Sequence, residues 1–156
     1  LCGFVSGRVE LEHWNPGELF QFYHDPRPPA GDLEFLRPMA GQEAAALAVR
    51  DGACALYHGC AHNLLHGRSR EALEELYKAA GFTLRAKYFV ETKTYLARQS
   101  DLLSGLRGED HDLLMEGIAL RSCPNLDDRE FDRLSGKLVE WAGALLATCV
   151  SKKFPV

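Results

Sequence analysis

The chain has 156 residues, of which 46% are apolar and 26% charged, and its formal net charge is -4. That balance excludes a disordered tract and leaves enough apolar surface for one ordinary core or two small packed lobes. Without an excess of Lys and Arg to neutralise phosphates, generic nucleic-acid binding is not expected.

The opening, Leu1 to Gly7, is apolar but lacks a basic leader and a starting Met. It reads as the inside of a strand, so the chain is expected to be a piece of something longer. Arg8 to Trp14 alternates polar and apolar residues, the period of a half-buried strand, and Asn15-Pro16-Gly17 stops it. Glu18 to Tyr23 is expected to form a short helix. Pro26, Pro28 and Pro29 then forbid regular structure up to Gly31. Asp32 to Leu36 reads as a second short strand, and Gly41 to Tyr57 as an alanine-rich helix weakened by Gly52.

From Ser69 the pattern becomes helical. Ser69 suits an N-cap, and Leu73, Tyr77, Ala80, Leu84 and Tyr88 fall on one face of a helix reaching about Arg98. Gly81 interrupts this pattern, and close packing is the expected reason. Asp101 to Leu106 and His111 to Leu120 predict two short helices broken at Gly108. A last helix is predicted from Asp127 to about Thr148: Asp127 and Glu130 resemble a capping box, and Phe131, Leu134, Leu138, Trp141 and Leu145 form its stripe. The expected fold is therefore α+β: a strand-containing lobe over residues 1–66, packed on a helical domain over residues 67–156.

Five scattered cysteines, with no CxxC pair, suit free thiols in a reducing compartment. No apolar run reaches the length of a membrane span, so no membrane partner is expected and the location reads as cytoplasmic.

Three constellations could carry chemistry. His58, His62 and His66 share a helical stripe, but ligands spread over two turns of one straight helix do not converge on an ion, and no metal site is expected there. Glu10 with Glu12, and Asp32 with Glu34, would each point two carboxylates to one face of a strand. Such a pair can hold a divalent cation, or simply form a solvated face. Asp110-His111-Asp112 opens a helix, where carboxylates act as caps. Lys78 and Lys87, with Tyr77, could give a long helix a cationic and stacking surface for a nucleotide, although interleaved glutamates make a solvated face the simpler reading.

Two stretches together resemble a known family. Gly7-Arg8-Val9-Glu10-Leu11 with Asn15-Pro16-Gly17-Glu18-Leu19, followed by Arg50-Asp51-Gly52-Ala53-Cys54-Ala55-Leu56-Tyr57-His58-Gly59, resembles the closing half of a DNA polymerase β-like nucleotidyltransferase domain. Leu76 to Ala80, Leu84 to Phe89, and Leu102-Leu103 through Asp110 resemble the HEPN-type helical domain often fused behind it. Arg107 and His111 are too closely spaced to match the Arg-to-His pair of helical ribonuclease domains.

The resemblance implies a parent enzyme that moves a nucleoside monophosphate from a triphosphate to a small-molecule or protein hydroxyl, using Mg2+. Glu10 would be the third carboxylate, with Glu12 as the register alternative, and Tyr77, Lys78 and Lys87 would contact the nucleotide. The family's Gly-Ser turn and Asp-x-Asp are absent, and no Gly-Ser pair occurs in the chain. One carboxylate alone cannot clamp the metals, so this chain by itself is expected to be inactive, a C-terminal portion or a degenerate relative. The alternative is a non-catalytic helical binding or dimerisation module pairing through the Phe131 to Leu145 stripe. The residues leave open whether the chain is an enzyme.

Overall fold

The computed structural model describes residues 6–25 and 32–151. The expectations for Leu1 to Val5 and for the prolines between Pro26 and Gly31 lie outside the described residues. Among the described residues there is no strand, and the α+β expectation gives way to an all-α fold. In chain order the helices are α1 (Arg8–Glu12), α2 (Pro16–His24), a 3₁₀ turn (Glu34–Met39), α3 (Gln42–His62), a π turn (Asn63–Gly67), α4 (Arg70–Thr92), α5 (Gln99–Gly105), α6 (Gly108–Ser122) and α7 (Asp128–Ser151). None of them is long and apolar enough to cross a membrane.

Both expected strands are helical turns, for one reason. A strand satisfies its backbone only through a neighbouring strand, and two short ones cannot build a sheet. A helical turn closes its hydrogen bonds locally. In α1 the Arg8 guanidinium meets Glu12 at 2.7 Å, and Ser6 Oγ donates to Glu10 at 2.7 Å. Only Leu11 turns inward there, while Val9 is 70% exposed. At the second site the Asp32 carboxylate accepts the Glu34 N–H at 3.0 Å and starts the 3₁₀ turn.

The helical part follows its sequence more closely. Ser69 Oγ accepts the Ala72 N–H at 3.1 Å and caps α4. Asp127 accepts the Glu130 N–H at 2.8 Å at the start of α7, completing half of a capping box. The Glu130 carboxylate turns to Arg133 instead. α3 runs on through Gly52 to His62, and the π turn joins it to α4. There Asn63 closes the connection with both ends of its amide: it donates to the Ser69 carbonyl at 2.9 Å and accepts the Ser69 N–H at 3.0 Å.

α3 is the central helix. It lies antiparallel to α4, with Gln42 donating to the Val90 carbonyl at one end and Gly59 facing Leu76 at the other. Between these points a Cβ on Gly52 would stand 2.4 Å from Thr83 Oγ1, so glycine sets how closely α3 and α4 approach. α7 packs chiefly on α3, and α6 covers α4. The stripe from Phe131 to Leu145 lies wholly in the core, along with Leu56, Leu73 and Leu84. This core takes residues from both sides of the His66–Gly67 connection. A second, smaller core of Leu11, Leu19 and Leu36 holds α1, α2 and the 3₁₀ turn together as a cap on the bundle.

Candidate functional site

The residues assigned to catalysis and nucleotide binding do not converge. Glu10 and Glu12 lie on the exposed surface of α1, with Glu12 committed to Arg8. Tyr77 is 3% exposed, so neither face of its ring is open to stack on a base. Its hydroxyl donates to the Leu134 carbonyl at 3.0 Å, and burial, reinforced by the charge of Glu116, pushes its phenol well above the usual range. Lys78 is exposed on the other side of α4 and meets Glu75 at 3.2 Å. Lys87 is bonded to Asp110 of α6, with Glu91 at 3.8 Å.

Asp110, read from the sequence as a helix cap, is thus a tie between three helices. Its second oxygen accepts the Trp141 indole N–H of α7 at 2.8 Å. A half-buried carboxylate that receives an ammonium and an indole is a strong charge-assisted contact, and it takes Lys87 out of the supply of free cations. Two other polar networks close in the same way. Glu116 receives Arg133 at 2.7 Å and Lys137 at 3.2 Å, joining α6 to α7. Arg70 donates to the carbonyls of Leu120 and Cys123 at 3.0 and 2.8 Å and so caps the C-terminal end of α6.

The histidine stripe is exposed. His62 and His66 lie 5.2 Å apart by ring centroids, but α3 ends at His62 and His66 belongs to the π turn. Among the described residues no group of three or more His, Cys, Asp or Glu side chains is placed to hold a metal ion. The Cys60 thiol is buried between α3 and α7, faces the Ser135 carbonyl at 3.4 Å and is pushed up to about 11 by burial. A thiol with so little thiolate is a packing residue.

A groove of about 290 Å³ lies between α2, α3 and α4, and a smaller one of about 190 Å³ between α6 and α7 is lined by the Glu116 and Arg133 pair. Small side chains make the larger groove: Ala48, Gly52 and Ala55 on α3 and Ala79 on α4. Phe82 and Tyr95 supply aromatic surface, and Glu18 and Asp51 are the charged groups in its lining. Asp51 holds Arg50 through Oδ1 alone, at 3.0 Å. Beside the groove Arg85 lies over the Phe82 ring, 5.3 Å from its centroid, and its Nε is buried without a hydrogen-bond partner.

Tyr95 also belongs to a cluster that the sequence reading missed. Its hydroxyl donates to Asp25 Oδ1 at 2.5 Å, and burial together with that carboxylate raises its phenol above the usual range. His24 stacks on the same ring at 4.2 Å. The density of aromatics from Phe20 to His24 was the available signal, but its partners lie some 70 positions along the chain and no local spacing points to them. Comparison of the chain with family models, with curated proteins and with solved structures finds no match.

Proposed function

We propose that this chain is a non-catalytic helical binding module whose site is the groove between α2, α3 and α4. The groove itself carries the reading. Its volume of about 290 Å³ is at the small end of the range for ligand sites, suited to a compact molecule of about one ring and too small for a partner helix. Its lining is mostly apolar, with Gln21, Thr83 and Tyr95 as neutral polar groups and Glu18 and Asp51 as the charged ones. The favoured occupant is therefore a small apolar or aromatic body bearing a positive charge, with the ammonium toward Glu18 or the second oxygen of Asp51. The net charge of -4 favours the same sign of ligand.

The nucleotidyl-transfer reading draws no comparable support: Glu10 and Glu12 stand exposed on a helical turn, and Lys78 and Lys87 are each paired with a carboxylate of their own. Cys54, Cys60 and Cys123 are free thiols, which supports a cytoplasmic setting for the module.

The test is a titration followed by amide NMR, using benzylammonium, benzyl alcohol and benzoate as probes of one shape and three charges. Saturable shifts at Ala48, Ala55 and Ala79 are expected, strongest for the cation and weakened by salt. Ala79→Phe should fill the groove and abolish them, and Glu18→Gln combined with Asp51→Asn should remove the preference for the cation. Equal or absent shifts for all three probes would overturn the reading. So would transfer from a labelled nucleoside triphosphate that disappears in Glu10→Ala.

A further inference from the structure

The C-terminal end of α2 is fastened to the bundle by aromatic contacts and one hydrogen bond. His24 lies nearly flat on Tyr95, with ring centroids 4.2 Å apart and planes 12° apart. Phe20, Tyr23 and Phe89 surround the imidazole at 4.7, 4.9 and 5.5 Å. Beside this stack the Tyr95 hydroxyl donates to Asp25, which follows α2. The His24 Nε2 is buried and, among the described residues, has no hydrogen-bond partner. A neutral imidazole tolerates that environment. An imidazolium would add a second charged N–H, at Nε2, where no described group accepts it.

We propose that this contact is an acid-released latch, in which protonation of His24 frees the end of α2 from Tyr95 while α3, α4 and α7 stay packed. The groups around the ring set the balance. Desolvation is the largest influence and holds His24 below the ordinary value of 6.5, whereas Asp25 and the Ala40 carbonyl act in the opposite direction. The C-terminal end of α2 also favours a cation, within its last turn. Tyr23 donates to Glu34 of the 3₁₀ turn at 3.3 Å, and Arg85 of α4 acts on Tyr95. The sign follows from the lowered folded-state value. The latch is fully closed above 6.5 and loses stability as pH falls toward the lower value of the closed state. Across that window the fraction open rises by up to about tenfold per pH unit. Phe20 and Tyr95 also line the groove, so the latch is tested on the chain without ligand.

Amide hydrogen exchange of Phe20 to Asp25, corrected for intrinsic rates and compared between about pH 7.5 and about pH 5, reads the opening directly. Exchange there should accelerate at the lower pH while that of α4 amides from Ala80 to Leu84 does not. An NMR titration of His24 should give a value below 6.5. His24→Phe keeps a ring in the stack and should abolish the pH response, and Tyr95→Phe keeps the stack and should preserve it. A His24 that titrates at or above 6.5, exchange in α2 that is the same at both pH values, or a pH response retained in His24→Phe would each overturn the proposal.

Discussion

The cap and the bundle are both helical, but they are built by different rules. In the bundle, helices of up to 24 residues repeat their apolar positions often enough to define a face, and each face meets another. In the cap, α1 is five residues long and buries one leucine, and the 3₁₀ turn likewise buries one. Five residues of alternating polarity fit a strand and a single helical turn equally well. The choice between them belongs to the rest of the chain, whose described residues offer no sheet to join.

The largest test of this contrast is the same truncation in each region. Leu138→Ala, in a side chain with no exposure at the centre of the bundle, should cost about 2–5 kcal/mol of global stability by chemical denaturation. Leu36→Ala removes an equally buried side chain from the cap's small core. Its cost should appear as faster hydrogen exchange in α2, with α3 and α4 close to unchanged. Equal global losses would erase the distinction between the two regions.

Inside the bundle, Gly52→Ala should destabilise by about 1–3 kcal/mol, since the new methyl meets a β-branched side chain and α3 must move off α4. Asp110→Ala leaves the Lys87 ammonium and the Trp141 indole without their shared acceptor and should cost about 1–3 kcal/mol. Raised salt should recover little of that loss, because Asp110 is largely shielded from solvent. The smallest effect has the opposite sign. At Gly81 a methyl would come no closer than 3.8 Å to Leu114, an ordinary contact, so Gly81→Ala should stabilise by about 0.5–1 kcal/mol in the same assay.

That pair of glycines shows what could be read in advance. Both interrupt helical patterns and look alike as letters, yet close packing explains Gly52 and not Gly81, the one for which it was expected. The caps at Ser69 and Asp127 were legible because their chemistry lies within three residues. The stripe on α7 was legible as a stripe. Its destination was not, since a face that could pair two copies and a face that fills a core have the same spacing. Lys87 could be offered to a nucleotide, or to a solvated face, because Asp110, on another helix, is invisible to any local window. The groove was illegible for a related reason: it consists of alanines and glycines, whose meaning is the space they leave between helices.

Asn63 has a consequence for the order of assembly. By closing the π turn on Ser69, it fixes the local connection, residues 63–69, between two long helices that pack closely on each other. Bringing α3 against α4 therefore costs little chain entropy, whereas α7 must return from far along the sequence to reach α3. We expect the α3–α4 hairpin to be the folding nucleus. On that view Asn63→Ala slows refolding, while Leu138→Ala acts mainly by hastening unfolding, a division that stopped-flow kinetics on the two variants would resolve.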